Sequence, residues 1–189
     1  MKITHGHGFH YNEEERRERQ NPEEILSSIG LQEGVVFMDI GCNDGFFTIP
    51  AAKIVGDRGK IYAADIDEDS LKRLKEKAEK EGLKNIHSET KEAESVIFCK
   101  GCADVIFYGT VLHDFRDPIR VLKNASEMLA PHGKLVNLDW KKIPTKMGPP
   151  LSIRLSEEGV TSMMKEAGLR VVETKNLSGD FYMVTAVLE

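Results

Sequence analysis

The stretch "RVVETKNLSGDFYMVTAVLE", from Arg170 to Glu189, decides the fold of this chain. It contains two strand-like segments, "RVVETKNL" and "FYMVTAVLE", which only Ser178, Gly179 and Asp180 separate. A connection this short joins only antiparallel neighbours in a sheet. We therefore predict that the chain ends in a β-hairpin.

Upstream of this hairpin, from residue 35, strand-like and helix-like segments alternate with short turns. This alternation is typical of parallel βαβ units. We predict five parallel strands, namely Val35–Ile40, "KIYAADID", "NIHSET", "ADVIFYG" and "KLVNLDW". With the hairpin, the prediction is an α/β fold whose seven-stranded sheet is parallel except for the C-terminal antiparallel pair, with helices on both faces.

The helix between the fourth and fifth strands has clear start signals and an apolar face. We predict it over "RDPIRVLKNASEMLAPHG", with Asp117 as its N-cap and Pro118 in its first turn. The spacing of apolar residues indicates which side faces the core: Ile119, Leu122, Ala125 and Leu129.

The length and composition of the chain limit the number of domains it can form. A chain of 189 residues, 40% of them hydrophobic, is long enough for one domain with a substantial core. We predict one domain over residues 21–189 and an N-terminal arm over residues 1–20, in which the charge run "EEERRER" is a solvated helix face.

The net charge of −5 gives no general field that would attract nucleic acid, so we expect no nucleic-acid partner. The apolar runs are strand-sized, and the N-terminus has no apolar core of signal-peptide length. We therefore predict a cytoplasmic protein without a membrane partner. Three cysteines do not make a disulfide framework, which agrees with a reducing compartment.

The turn after the first strand, in "VVFMDIGCNDGFFTIP" (35–50), is the arrangement that holds a nucleotide-like cofactor in many open α/β sheets. It departs from the dinucleotide fingerprint, because Asn43 replaces the second glycine. Asp39 and Asp44 would repel a pyrophosphate but suit a cationic ligand. Gly41 and Gly45 permit close backbone approach, and Asn43 tolerates a left-handed conformation.

Asp65 ends the second strand, where a carboxylate can accept both hydroxyls of a ribose. The alternative role for Asp65 is to cap the following helix. The ribose role supports a nucleoside-containing cofactor without choosing among such cofactors.

Together, "DIGCNDG" after the first strand, "ADID" in the second, "LAPHGKLV" before the fifth and the terminal hairpin resemble class I S-adenosylmethionine-dependent methyltransferases. The resemblance extends from about Asn21 to the C-terminus. The order and spacing of the motifs are similar to those of the small microbial type 11, UbiE-like group. It implies a Rossmann-like methyltransferase sheet and S-adenosylmethionine as the cofactor.

The resemblance also implies roles for individual residues. Ile66 would pack on the adenine ring and Glu92 would meet the adenine amino group, although a solvated surface acid is the alternative for Glu92. The implied cofactor-binding set is Asp39, Gly41, Cys42, Asn43, Gly45, Asp65, Ile66, Glu92 and Gly109. In many relatives an N-terminal segment covers the cofactor, so Phe9 and Tyr11 are expected to cap the methyl donor.

The catalytic residues stay unassigned at this stage. His113 in "YGTVLHDF" follows the fourth strand on the ligand-binding edge and has a pKa suited to proton abstraction. It is the candidate general base, and the alternative is a histidine that makes structural hydrogen bonds. Trp140 ends the fifth strand on the same edge and is a candidate to line an acceptor pocket with "MGPPL" as a lid, although a packed strand-end aromatic is the alternative. Arg154, in the connection that follows, is a candidate contact for an acceptor anion.

Two further motifs are expected to be without function. "CKGC", Cys99 to Cys102, supplies too few ligands for a metal site, so we expect a plain loop and no metal. His5, His7 and His10 are expected to belong to a flexible arm.

These observations predict a methyltransferase that acts on a small-molecule acceptor. Two alternatives stay open. One is a non-catalytic module that binds S-adenosylmethionine or serves assembly, because no indispensable catalytic side chain can be named. The other is a nucleotide-dependent oxidoreductase, which would share the sheet and Asp65. The acceptor and the oligomeric state cannot be read from the sequence.

Overall fold

A computed structural model of the chain describes residues 13–177 and 179–189. The sheet within this part of the chain has seven strands in the order β3-β2-β1-β4-β5-β7-β6. The strands are β1 Val36–Ile40, β2 Lys60–Asp65, β3 Ile86–Thr90, β4 Ala103–Gly109, β5 Leu129–Trp140, β6 Leu169–Asn176 and β7 Phe181–Leu188.

The first five strands are parallel, whereas β7 runs antiparallel to both β5 and β6. The predicted sheet and its terminal hairpin are therefore confirmed. Because β2 and β4 lie on opposite sides of β1, the chain changes direction of winding there. Open α/β sheets bind ligands at the carboxyl ends of the strands at such a point, and this region is called the crevice below.

Helices cover both faces of the sheet. The described helices are α1 Glu13–Arg19, α2 Pro22–Ser28, α3 Thr48–Val55, α4 Glu68–Lys80, α5 Pro118–Met128 and α6 Glu157–Glu166, with short 3₁₀ helices at Ala93–Ser95 and Leu112–Asp114. One side of the sheet packs on α2, α3 and α4 through residues such as Phe37 and Ala63. The other side packs on α5 and α6 through residues such as Tyr108 and Tyr182. Every parallel strand except β3 is therefore largely buried.

The predicted end of α5 is wrong. Asp117 caps the helix, as expected, by accepting a hydrogen bond from the Arg120 N–H. The helix then stops at Met128 because Leu129 is extended and Pro131 follows it. Leu129 pairs with Ala103, so the segment that was expected to finish the helix belongs to β5.

The inward face of α5 also differs from the prediction. Leu122 and Ala125 are buried as expected, while Ile119 is only half-buried. Val121 and Met128 are buried in its place and complete the apolar face.

The start of β5 contains a wide irregularity that depends on Gly133. Ala103 pairs with Leu129, whereas Val105 pairs with Lys134, so four residues of β5 bulge out between these pairs. A Cβ atom at Gly133 would lie 2.3 Å from the Ala103 carbonyl oxygen and 3.1 Å from the Ala130 nitrogen. Both neighbours are backbone atoms, which cannot move aside as a side chain does.

We therefore expect Gly133→Ala to lower the free energy of unfolding by roughly 2 kcal/mol, as is common when backbone must shift. Gly159→Ala is the control, since Gly159 lies in α6 and its Cβ would approach only the Ser156 hydroxyl, at 3.4 Å. Urea unfolding followed by circular dichroism should show the control as stable as the wild type or more so. Equal stability of Gly133→Ala and the wild type would contradict this description of β5.

Candidate active site

The turn after β1 has three residues in the left-handed region of backbone conformation. Gly41, Asn43 and Gly45 have φ values of 80°, 48° and 92°. The left-handed conformation predicted for Asn43 is therefore confirmed. A Cβ at Gly41 would lie 2.6 Å from Val111, which follows β4, and one at Gly45 would lie 2.5 Å from Leu74 of α4. The glycines let the turn fit between these two neighbours.

Asp65 ties this turn to the end of β2. One carboxylate oxygen accepts a hydrogen bond from the Asn43 N–H at 2.7 Å, and the other accepts one from the Asp67 N–H at 2.9 Å. Each oxygen retains a further lone pair. The next residue, Ile66, leaves 43% of its surface exposed. A hydrogen-bond acceptor and an apolar face thus lie side by side at the carboxyl end of β2.

Asp39 is placed as predicted but is not a simple anion. It is 2% exposed, and the Thr48 hydroxyl donates a hydrogen bond to it at 2.6 Å. Burial raises the pKa of Asp39 to about 7, and the charge of Asp65 adds to this effect, against the opposing hydrogen bond from Thr48 and the charge of Arg16. At neutral pH this carboxyl group is therefore about half protonated.

Asp44 and Cys42 complete the turn. The Asp44 carboxylate accepts from Lys77 of α4 at 2.9 Å, so its charge is balanced within the protein. Cys42 is buried, which raises the pKa of its thiol, and the charges of Asp39 and Asp65 raise it further. Both residues lie where the sequence placed them.

Helix α1 has no buried residue, as the prediction of a solvated charged helix requires, but its Arg16 also makes contacts beyond the helix. The Arg16 guanidinium carbon lies 4.0 Å from the centre of the Phe46 ring, and a terminal nitrogen of Arg16 lies 3.5 Å from the Thr110 hydroxyl. Arg17 ion-pairs with Glu23. Through Arg16, α1 spans the gap between the turn after β1 and the end of β4, which the charge pattern alone does not reveal.

The end of β4 carries backbone strain. Thr110 has φ 61°, a conformation that β-branched residues rarely adopt, and its hydroxyl donates to the Gly109 carbonyl at 2.6 Å. Gly109 itself is buried, and a Cβ there would lie 2.8 Å from Phe47. Strain of this kind clusters at functional sites. The sequence gives no signal for it, because threonine is not a left-handed residue.

His113 forms a buried pair with Asp139, a residue that the sequence analysis missed. Nδ1 of His113 lies 2.7 Å from an Asp139 oxygen, and the two side chains are 3% and 1% exposed. The same Asp139 oxygen accepts the Trp140 N–H at 2.8 Å. Burial lowers the pKa of His113, but the hydrogen bond and charge of Asp139, with the charge of Asp114, outweigh burial and raise it above the usual value.

The candidate acceptor residues Trp140, at the end of β5, and Arg154, in the connection after it, are packed inside the chain. Trp140 is buried, with its ring centre 4.4 Å from that of Phe181. Arg154 is 4% exposed, and each of its five N–H groups donates to a backbone carbonyl or to Thr145 within the segment 141–149. The expected role of Arg154 in binding an acceptor anion is therefore not supported, because no donor is left. Its hydrogen bonds instead fix the shape of this connection.

The remaining predicted residues lie further out. Glu92 follows β3, is exposed, and pairs with Arg116 at 3.2 Å. A depression of about 390 Å³ is lined by residues 143–151 and Arg154, and Trp140 does not line it. Tyr11, Phe9 and the N-terminal histidines lie outside the described residues.

The described part of the chain contains no group of three or more His, Cys, Asp or Glu side chains arranged to hold a metal ion. None of its helices has the length and apolar character that a membrane span requires. The "CKGC" loop differs from expectation, because the structure joins Cys99 and Cys102 in a disulfide.

The sequence and the fold match known methyltransferases. The sequence profile of the family described as "Methyltransferase domain" matches residues 31–174. A solved structure of a SAM-dependent methyltransferase from Aquifex aeolicus is 29% identical, covers 94% of this chain and 98% of that chain, and superposes with a TM-score of 0.85. The chain therefore belongs to the methyltransferase domain family, as a class I S-adenosylmethionine-dependent methyltransferase of the UbiE-like group.

Curated relatives agree with this assignment. The chain is 31% identical to the demethylmenaquinone methyltransferase of Lactococcus lactis subsp. lactis, over 60% of this chain and 45% of that protein. It is 26% identical to the ubiquinone/menaquinone biosynthesis C-methyltransferase UbiE of Shewanella woodyi, over 81% of this chain and 73% of that protein. The chain spans about half the length of the demethylmenaquinone methyltransferases that it matches.

The raised pKa of Asp39 predicts a pH-dependent stability. Between pH 4 and pH 7 the native protein binds more protons than the unfolded chain, so the free energy of unfolding falls as pH rises through this window. We expect Asp39→Asn to remove this dependence of the free energy of unfolding on pH, because asparagine does not ionise. At pH 8 Asp39→Asn should therefore be more stable than the wild type, with each unit of pKa difference worth about 1.4 kcal/mol.

Urea unfolding at pH 5 and at pH 8 measures this difference. Asp57→Asn is the control, since Asp57 is exposed in the turn after α3. The same change in stability between the two pH values for Asp39→Asn and the wild type would show that Asp39 is ionised normally.

The contact between His113 and Asp139 leads to a prediction about the pKa of His113. In Asp139→Asn the charge is lost while burial remains, so the pKa of His113 should fall below the usual value for histidine. NMR titration of the histidine ring protons, with His113 assigned through a His113→Gln variant, measures this. Asp114→Asn should shift the pKa less, because its carboxylate lies 3.7 Å from His113. An equal or larger shift in that control would contradict the pairing.

Proposed function

We propose that this protein transfers the methyl group of S-adenosylmethionine to a small-molecule acceptor. The observation that carries the proposal is that the Asp65 carboxylate and the exposed Ile66 are adjacent and lie beside the left-handed turn at Asn43. A ribose needs hydrogen-bond acceptors and an adenine needs an apolar face, and both lie at the carboxyl ends of β1 and β2, where open α/β sheets bind ligands.

The residues of the crevice fit the chemistry of this cofactor. Asp65 accepts the ribose hydroxyls, Ile66 supports the adenine, and Glu92 receives the adenine amino group. Gly41, Cys42, Asn43 and Gly45 form the floor of the cofactor site, and Gly109 lies at the end of β4. Asp39 is buried behind this turn, where its ionised form adds to the negative potential that favours a cationic cofactor. Bound S-adenosylmethionine supplies an electrophilic methyl group on a sulfonium. The protein's task is to align the acceptor with that methyl group and to exclude water.

We propose that residues 1–20 cover this site. Support comes from α1, because Arg16 lies on the Phe46 ring and near Thr110, on the two sides of the crevice. Tyr11 is two residues before α1 in the sequence, so it belongs to the proposed cover.

His113 is the proposed general base, with Asp139 holding its Nδ1. In the triad logic of activated side chains, a carboxylate at Nδ1 fixes the imidazole so that Nε2 is the atom that exchanges protons. Its position after β4 places it on the same edge of the sheet as Asp65 and the turn at Asn43.

For the acceptor, we propose a quinone-type aromatic compound. Support comes from the curated relatives described above. One is a demethylmenaquinone methyltransferase, and another is a C-methyltransferase of ubiquinone and menaquinone biosynthesis. The acidic net charge also disfavours long nucleic acids. A cytoplasmic location remains a prediction from the composition.

The test is transfer of a labelled methyl group from S-adenosylmethionine to a panel of acceptors that contains a short-chain demethylnaphthoquinol, bulk RNA and unfolded protein. We expect label in the naphthoquinol. Preferential labelling of RNA or protein at physiological salt would contradict the acceptor class.

The non-catalytic alternative has one observation in its favour, because His113, Trp140 and Arg154 are all packed and hydrogen-bonded within the chain. A module that only binds the cofactor predicts tight binding with no methyl transfer to any acceptor in the panel. The oxidoreductase alternative finds no support in the family assignment.

We expect Asp65→Ala to weaken the binding of S-adenosylmethionine at least tenfold, since hydrogen bonds to a charged group are worth about 1.5–3 kcal/mol each. The overall fold should survive, because the half-buried Asp65 carboxylate accepts hydrogen bonds from the two adjoining turns and does not pack in the core. Equilibrium dialysis with labelled cofactor measures the affinity, and circular dichroism checks the fold. Asp57→Ala is the matched control and should bind as the wild type does. Unchanged affinity of Asp65→Ala would remove the ribose assignment.

A further inference from the structure

The "CKGC" loop, Cys99 to Cys102, lies at the opposite edge of the sheet from the proposed cofactor site. It precedes β4, whose other end carries Gly109 and the strained Thr110. The Cα atoms of Cys99 and Cys102 are 6.1 Å apart, within the range of 4.4–6.8 Å that a disulfide requires. The proposed methyl transfer makes no use of this pair.

The backbone holds the two cysteines together independently of the bond between their sulfur atoms. The Gly101 N–H donates to the Glu127 carbonyl at 3.0 Å, and the Cys102 N–H donates to the Met128 carbonyl at 2.9 Å. Gly101 has φ 62°, a conformation that glycine adopts without a steric cost. Since the end of α5 fixes the loop in this way, the reduced thiols are already close, and closing the disulfide costs little conformational entropy.

The third cysteine provides a contrast. Cys42 is buried at the other end of the sheet, in a cluster with Leu71 and Leu74, and burial raises the pKa of its thiol. Cys99 and Cys102 are only half-buried and flank Lys100, which is exposed. Access to solvent favours the reactive thiolate. The Lys100 ammonium itself pairs with Glu127 at 3.7 Å.

We propose that the "CKGC" loop is a thiol–disulfide exchange site that reacts with small disulfides and dithiols. One cysteine thiolate attacks an external disulfide, forms a mixed disulfide and releases one thiolate. The second cysteine then attacks the mixed disulfide, closes the Cys99–Cys102 bond and releases the second thiolate. The pair loses two electrons and two protons, and the external disulfide gains them as two thiols.

The test uses the reduced full-length protein in mixtures of reduced and oxidised glutathione, quenched with acid and alkylated. Intact-mass spectrometry then counts the free thiols. We expect a single step in which two thiols are lost together while Cys42 stays free, and full recovery of both thiols with dithiothreitol. Before oxidation, an aromatic disulfide reagent should titrate two thiols in the native protein and three after denaturation.

Variants of the three cysteines test whether the two thiols that are lost together belong to the "CKGC" loop. Cys42→Ser should lose the same two thiols in one step and should titrate two thiols both in the native and in the denatured state, whereas Cys99→Ser and Cys102→Ser should each accumulate a glutathione adduct instead of an internal disulfide. Two thiols that stay free at every glutathione ratio, in a protein folded by circular dichroism, would overturn the proposal. A stable glutathione adduct on the wild type would do the same. Neither outcome depends on methyl transfer.

Discussion

The hydrogen bond from the Asn43 N–H to the Asp65 carboxylate, at 2.7 Å, is the constraint on which the candidate site depends. It joins the turn after β1 to the end of β2, and it requires the left-handed conformation of Asn43. The other oxygen of Asp65 accepts the Asp67 N–H, and Asp67 in turn caps α4. One carboxylate therefore fixes the turn, the strand end and the start of the next helix, and it keeps lone pairs for a ligand.

The three acids near this turn carry different charges in practice. Asp39 is buried against Thr48 and is about half protonated at neutral pH, and Asp44 is paired with Lys77. Asp65 is half-buried and is hydrogen-bonded only through backbone N–H groups in the described contacts. Of these three, Asp65 is the one whose carboxylate remains available to a ligand. Although three acids lie near the turn, mainly one carboxylate, that of Asp65, is presented to a ligand.

The sequence predicted what local chemistry determines and missed what depends on distant contacts. The sheet follows from hydrophobic periodicity and from the short terminal hairpin, and the left-handed Asn43 follows from the chemistry of asparagine. Thr110 is strained against its own preference, so no local rule predicts it. The pair of His113 and Asp139 joins residues that are 26 positions apart, and the five donors of Arg154 find partners only when the connection after β5 folds back. Such contacts require the tertiary structure.

The central claim is that the crevice at β1, β2 and β4 binds S-adenosylmethionine. Titration calorimetry tests it most directly, with S-adenosylmethionine, its demethylated product S-adenosylhomocysteine and NAD added to the same preparation of the wild-type protein. We predict one-to-one binding of the first two and no binding of NAD, because Asn43 replaces the glycine that lets the backbone approach a pyrophosphate in the dinucleotide fingerprint. Binding of NAD, or of neither methionine derivative to a demonstrably folded sample, would contradict the account.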